Sequence, residues 1–269
     1  MNYQLINKFR HFANTPLKHK CEMINQWMDR ERSSTRACAM PNSQILLQIP
    51  KEEYYLSYAF FCEYKAGCCE MAFFTERLTK GDVFIDVGSF CGAYSFAAHA
   101  CLEGHVEVLA LEAFAKNVKR IERVALTNPS MPVTIMEAMV GDGTPALTSV
   151  NTEDIIICRG DKFSVNTKDS DKQSVTKTLT ELAAEWKHDP TVIKIDVEGF
   201  ELQVLAGAAD LLTKTRPRLW IEVHPGYLRR QGRQAEEVSL FLKKLGYRIT
   251  EFDDISYPTQ DISFHLYAE

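Results

Sequence analysis

From about residue 81 onward, short apolar runs alternate with stretches whose apolar residues recur every three or four positions. The first pattern marks strands buried on both faces, the second amphipathic helices. DVFIDVG (82–88) reads as a buried strand ending at a glycine, and GAYSFAAHACL (92–102) as the helix that follows it. VEVLALE (106–112) and VTIMEAMV (133–140) read as the next two strands. A helix over 115–126 lies between them, with Val118, Ile121, Ala125 and Leu126 on one face. Further on, a short helix over 179–186, capped by Thr178 or Thr180, leads to the strand TVIKIDV (191–197). An amphipathic helix over 200–212 precedes the strand RPRLWIEV (216–223), where Pro217 sits at the tolerated first turn. A helix over 235–246 stops at Gly246, and YRITEF and ISFHLYA close the chain as an antiparallel hairpin at a sheet edge. Such alternation predicts an α/β fold, a mostly parallel sheet with helices on both faces.

Two stretches break the rhythm. Residues 141–177 are rich in turn formers with short β-branched runs, which predicts an excursion of loop and hairpin where binding residues concentrate. Residues 1–80 read as long polar helices followed by YYLSYAFFCEY and CCEMAFFTERL, with no linker of Pro, Gly or Ser before residue 81. The expectation is therefore a mainly helical N-terminal extension over 1–80, packed on one domain over 81–269. The aromatic run YYLSYAFF reads as core, substrate wall or dimer contact.

Composition narrows the functional classes. With 269 residues, 45% hydrophobic and 25% charged, the chain is neither disordered, collagen-like nor a coiled coil. A single fold of this size buries about three quarters of its unfolded surface, so it needs no disulfide or structural metal. The net charge of −5 argues against nucleic acid as a partner. Residues 1–50 carry seven Lys/Arg against three Asp/Glu, read as a solvated helix face or an arm that helps hold an anionic substrate. The eight cysteines form no C-x-x-C pair and no His falls at zinc-finger spacing, and Cys91 and Cys101 read as small buried hydrophobes. No secretory h-region opens the chain and no run approaches the roughly 18 apolar residues of a membrane span. A cytoplasmic location is expected.

The chemistry begins at VFIDVGSFCGAYS (83–95). A strand, a glycine turn and a helix N-terminus make a nucleotide crevice in open α/β sheets. A dinucleotide site wants G-x-G-x-x-G, but Phe90 stands where the second glycine would admit a pyrophosphate, and the actual spacing is Gly88-x-x-x-Gly92. With Asp86 two residues ahead of Gly88, the motif suits a nucleoside that lacks a pyrophosphate but carries a cationic group. Glu112 ends the second strand 24 residues after Gly88, the place from which a carboxylate takes ribose hydroxyls; the plainer alternative is an acid at a helix N-terminus. Two later strands end in acids and a histidine: Asp196 and Glu198 after one, Glu222 and His224 after the other. Parallel neighbours would bring these four to one carboxyl edge. The plainer alternative there is that Lys194 neutralises an acid and Glu198 caps the next helix.

VFIDVGSFCGAYS, LALEAFAKN, VIKIDVEGFELQVLAGAADLL and LWIEVHP together resemble the FkbM family of S-adenosylmethionine-dependent methyltransferases, over roughly residues 65–250. The resemblance implies a seven-stranded class I, Rossmann-like methyltransferase sheet and S-adenosylmethionine as cofactor. It implies methyl transfer, usually to a hydroxyl oxygen of a sugar, lipid-linked glycan or secondary metabolite. By motif, Asp86, Gly88, Ser89 and Gly92 fall in the glycine-turn signature, Glu112 on the ribose acid, and Asp196, Glu198 and His224 on the strand-end acids and histidine. Glu70 falls on a Glu that touches the cofactor's amino-acid end, and Met139 or its neighbours lie against adenine. Four positions depart from the family pattern. Ser89-Phe90 replaces the A-N of D-V-G-A-N, Ala113 the Pro of E-P, and Thr180 an Asp at a helix start.

An alcohol is a poor nucleophile at neutral pH, so a base near the incoming oxygen helps. Asp196 or His224 is expected as that base, with Glu198 orienting the hydroxyl and Asp196 also near the cofactor. The reading does without a metal, although a divalent ion held by Asp196, Glu198 and His224 would do the same job by polarising the hydroxyl. Substrate recognition is expected from the 141–177 excursion and the N-terminal extension. The partner is then a small-molecule or glycan acceptor. Methylation of nitrogen in a peptide or amine product, and a non-catalytic scaffold with a relic cofactor pocket, are the rival readings. Phe90 disfavours an NAD oxidoreductase. The oligomeric state is left open between monomer and homodimer.

Overall fold

The computed structural model describes residues 35–40, 42–53, 69–148, 172–252 and 263–269. The polar helices expected before residue 35, the aromatic run over 54–64 and the middle of the excursion, 149–171, lie outside the described residues. The main sheet is built from β3 (Asp82–Val87), β4 (Val106–Glu112), β5 (Thr134–Glu137), β10 (Val192–Ile195), β11 (Arg218–Val223), β12 (Ile249–Phe252) and β13 (Phe264–Ala268). Their spatial order is β12-β13-β11-β10-β3-β4-β5. The five strands from β11 to β5 are parallel, and only β13 runs antiparallel, against both β11 and β12.

Successive residues of the central strands feed two separate cores, because side chains alternate across a sheet. Phe84, Val108, Ala110, Val192 and Trp220 face one core, with α1 (Cys69–Thr75), α2 (Ala93–Cys101) and α3 (Ala115–Thr127) against them. Ile85, Leu109, Leu111, Ile193, Ile195 and Ile221 face the other, covered by α4 (Leu179–Trp186), α5 (Glu201–Gly207), α6 (Ala209–Thr215) and α8 (Glu236–Lys244). The short helix α7 (Pro225–Arg230) follows β11 directly, with Pro225 at its first position. This is the seven-stranded, mostly parallel sheet with helices on both faces that the alternation and the resemblance led us to expect.

Several local expectations need correcting. Residues 35–50 are not helical. They form an antiparallel hairpin of β1 (Thr35–Ala39) and β2 (Leu46–Pro50), whose connecting turn places Asn42 in the left-handed region. Val124, not Leu126, completes the buried face of α3, and Leu126 is 80% exposed. The helix expected over 200–212 is broken at Ala208. Thr180 donates its hydroxyl to the Gly207 carbonyl at 2.9 Å, and Gly207 lies so close to Gly141 that an added Cβ would sit 2.0 Å from the Gly141 carbonyl oxygen. The strand expected over 133–140 divides into β5 and the separate β6 (Val140–Gly141), which pairs in parallel with β9 (Lys177–Thr178). Within the excursion, β7 (Pro145–Thr148) pairs antiparallel with β8 (Lys172–Val175). Thr178 caps α4 through a capping box with Glu181.

The β1–β2 hairpin is fastened to α3 by buried polar groups. Asn128 accepts the Gln48 N–H at 2.8 Å and donates to the Gln48 and Val124 carbonyls at 2.7 Å. Glu53 is buried and pairs with both Arg120 and Arg123 of α3. Replacing Asn128 by Ala strands the Gln48 amide, while Thr127 still donates to the Gln48 carbonyl, so we expect a loss of about 1–3 kcal/mol of stability. Urea unfolding of Asn128→Ala against the parent measures it, and a midpoint equal to the parent's would show that the hairpin contributes nothing through this side chain.

Candidate active site

Parallel strands end at the same edge, and the chemistry-bearing residues collect at the carboxyl ends of β3, β4, β10 and β11. The glycine turn follows β3. Gly88 and Ser89 both donate their N–H to the Leu111 carbonyl, and Gly92, at φ 78°, opens α2. Gly88 has φ 76°, and a Cβ there would lie 1.8 Å from the Asp196 carbonyl oxygen. Only glycine permits so close an approach of the turn to the end of β10. Phe90 also takes a left-handed φ, 51°, which costs about 1 kcal/mol or more for such a residue.

Glu112 is nearly buried at the end of β4. One of its oxygens accepts the Phe90 N–H at 2.8 Å, and the other accepts the Phe114 N–H at 3.0 Å and the Asn117 amide at 3.3 Å. Burial pushes its carboxyl above the usual range, offset in part by these bonds. The helix N-terminal reading of this acid holds, since it accepts from the start of α3, and it clasps the glycine turn as well. A carboxylate offers about four acceptor positions, and the Ala113 N–H also bears on these oxygens beside the three donors named.

Asp86 is 1% exposed and turned inward. One oxygen accepts the Ser95 hydroxyl at 2.7 Å, and the other lies 3.8 Å from the Lys194 ammonium without a hydrogen bond. Burial raises its pKa, with Lys194 pulling the other way. Ser89 donates its hydroxyl to the Leu111 carbonyl, and Met139 is half-buried just beyond β5, its carbonyl accepting the Lys177 N–H. Among the described residues nothing brings Met139 and Glu70 together: Glu70, on α1, reaches His265 instead, at 3.7 Å.

The strand-end cluster forms as the spacing led us to expect. Asp196 accepts from Lys194 at 3.1 Å. The His224 Nε2 lies 3.9 Å from Asp196, 3.3 Å from Glu198 and 3.6 Å from Glu222. Its Nδ1 donates to Glu201 at 2.8 Å, and Glu201 also accepts the Gly199 N–H. Glu198 does not cap the next helix, whose N-terminus has no side-chain cap; Glu201 instead ties the turn before it through the Gly199 N–H. Glu198 stands at φ 51°, beside Gly199 at φ 98°. Burial pushes Glu198 up to about 7, against the pull of His224. Burial draws His224 down, but the Glu201 bond with Glu198, Glu222 and Asp196 outweighs it and raises the imidazole to about 10. In the ion-free chain His224 thus carries a proton at neutral pH.

The cluster extends to residues beyond those singled out from the sequence. Glu222 pairs with His265 at 3.5 Å and accepts from Ser263 at 2.7 Å, and these partners hold its carboxyl well below the usual range against a large burial cost. Burial opposes charge on His265, and the adjoining Glu222 raises its pKa nonetheless. His265 was legible only as a polar residue in an apolar edge strand. Its place is fixed by register, since it lies directly opposite Glu222 in the β11–β13 pair. Lys194 neutralises Asp196 and stands by Asp86, as the plainer reading had it, while Glu201 stands in the same run and its inward direction could not be read from it.

Residues 86–249 match the family model described as the Methyltransferase FkbM domain. The chain belongs to this family. Among solved structures, it is similar to the methyltransferase FkbM from Methylobacillus flagellatus KT. The identity is 18%, over 81% of this chain and 54% of that one, at a TM-score of 0.48. The chain thus spans about half the length of that FkbM protein. It is also similar to Aeropyrum pernix fibrillarin, solved with natively bound S-adenosyl-L-methionine, at 8% identity over 71% of this chain and 67% of that one (TM-score 0.44). A third likeness is to an S-adenosylmethionine-dependent O-methyltransferase from Thermotoga maritima, at 14% identity over 74% and 63% of the two chains (TM-score 0.43). No curated protein matches the chain. Among the described residues, no helix is long and apolar enough to cross a membrane.

In this FkbM-family chain the approach of Gly88 to Asp196 joins the glycine turn to the strand-end cluster. Gly88→Ala would drive a Cβ into a backbone oxygen at a left-handed φ, so we expect about 2–4 kcal/mol of lost stability. Thermal unfolding checks it, and a melting temperature within about 2 °C of the parent would show that the turn can move away at little cost.

Proposed function

We propose that this chain transfers a methyl group from S-adenosylmethionine to a hydroxyl oxygen of a small molecule or glycan. The observation that carries the proposal is the convergence on one carboxyl edge of the Gly88–Gly92 turn, Glu112 and the Asp196–Glu198–His224 cluster. Family membership supports the transfer itself. When bound, S-adenosylmethionine supplies a sulfonium-borne methyl group that an acceptor displaces in line. Glu112, at the end of β4 beside the glycine turn, is the acid we assign to the ribose hydroxyls. Ser89 and Gly88 hold the turn to β4, so the crevice is preformed rather than assembled on binding.

An acceptor hydroxyl has to lose its proton as its oxygen takes the methyl. The carboxylates of the cluster stand next to the turn and can receive that proton. His224, fixed by its bond to Glu201 and facing the carboxylates, would hold them in place, and of the Asp196-or-His224 pair we take the carboxylate as the base. A free amine needs no such base for its attack, and this favours oxygen over nitrogen as the acceptor atom.

Two measurements test the reading. Calorimetric titration of S-adenosylhomocysteine should give micromolar binding to the full chain, weakened at least tenfold in Glu112→Ala, which is about 1.4 kcal/mol. No binding to a cooperatively folded parent would overturn the cofactor assignment. Acceptor atom is tested with sugars that differ only in an amino group for a hydroxyl, followed by mass spectrometry of the products. Methylation confined to the amines would overturn the oxygen assignment and leave the cofactor assignment intact.

A further inference from the structure

We propose that Asp196, Glu198 and His224 bind a first-row divalent cation such as Mn²⁺ or Zn²⁺. One oxygen from each carboxylate and a histidine nitrogen lie within 4.8 Å of one another, close enough for one ion to gather them with small side-chain rotations. Two features beyond proximity point to a ligand. His224 is nine-tenths buried, and its Nε2 faces the cluster without a hydrogen bond among the described residues. Glu198 Oε2 is likewise buried and makes no hydrogen bond. The two atoms lie 3.3 Å apart as an ion pair without hydrogen-bond geometry, and an ion gathered between them would give both a directed partner.

The second shell is already in place. Glu201, fully buried, accepts from His224 Nδ1, which fixes the ring so that Nε2 is the atom presented. A carboxylate behind a ligating histidine orients the ring and raises its basicity. Lys194 similarly occupies the outer oxygen of Asp196 and leaves the other turned to His224.

Charge argues the same way. The connected set contains six carboxylates (Glu70, Asp86, Asp196, Glu198, Glu201 and Glu222), met among the described residues by Lys194 and two histidines. A divalent cation restores that balance. One nitrogen with two carboxylates favours a transition-metal ion over Mg²⁺ or Ca²⁺, which prefer all-oxygen sites. The geometry leaves coordination positions for an acceptor hydroxyl, which the ion would polarise. That last consequence rests on the methyltransferase reading; the binding of the ion does not.

The test is a Mn²⁺ titration of the chelator-treated full-length chain, followed by electron paramagnetic resonance, with Zn²⁺ calorimetry alongside. We expect one ion per chain and at least tenfold weaker binding in Glu198→Gln and in His224→Gln. Glu198 makes no hydrogen bond among the described residues, so Glu198→Gln keeps the fold and decides the matter even where His224→Gln fails to fold. Absence of stoichiometric Mn²⁺ and Zn²⁺ binding, or equal binding by parent and Glu198→Gln, would overturn the site. S-adenosylhomocysteine binding measured on the same samples separates the two readings, because it can persist when the ion fails and be lost when the ion binds.

Discussion

The active edge of this protein is governed by the cost of keeping negative charge out of water. A carboxylate removed from solvent is tolerated only when cations or N–H donors stand close to it. Each carboxylate at the edge has been given such a partner by a different part of the chain. Lys194, itself buried, lies between Asp86 and Asp196. His224 stands among Asp196, Glu198, Glu201 and Glu222. His265 comes from the last strand to meet Glu222 and Glu70. The antiparallel edge hairpin is therefore more than a way to end the sheet. It delivers an imidazole to Glu222 and Glu70.

Backbone strain is present in the same place. Phe90 and Glu198, two of the six non-glycine residues with left-handed φ among the described residues, lie with Gly88, Gly92 and Gly199 in the two turns that leave β3 and β10. These turns are pressed together, with Gly88 against the Asp196 carbonyl, and the second turn is pressed against α7, where a Cβ on Gly199 would sit 2.4 Å from the Tyr227 Cβ. Strain of this kind persists only where the surroundings over-determine it. Here the surroundings are two parallel ladders and two apolar cores, which hold the strand ends too rigidly for the turns to relax. The consequence is a preformed site whose side chains point where the sheet puts them.

The sheet was legible because strands covered on both faces carry near-continuous apolar runs, as in VFIDV, VLALE and VIKI. The strand-end acids were legible for the same reason: charge stands out at the end of such a run. What escaped the pattern was decided by contacts distant in sequence. The break at Ala208 depends on Thr180 and Gly141. The β1–β2 hairpin depends on Asn128, some eighty residues further on, and its own residues carry only weak alternation. Leu126 fits a helical face on paper, yet α3 turns Val124 toward the core instead. None of these is a failure of propensity; each is tertiary packing overriding it.

Phe90 shows how a departure from a family pattern can be understood physically. The family's D-V-G-A-N places an asparagine at this position, and asparagine tolerates left-handed backbone far better than phenylalanine. The turn keeps its shape in this chain because Glu112 accepts the Phe90 N–H and the Arg120 guanidinium lies over the ring at 5.5 Å. Arg120 is in turn held by Asn117 and Glu53, and Asn117 donates to Glu112. The local cost at Phe90 is thus offset by a polar chain that runs from the hairpin side of α3 to the end of β4. Glu112 closes that chain, so the acid proposed to meet the ribose is also the one that holds the turn in its strained form. On that proposal a ligand at Glu112 and the shape of the turn are coupled through one carboxylate.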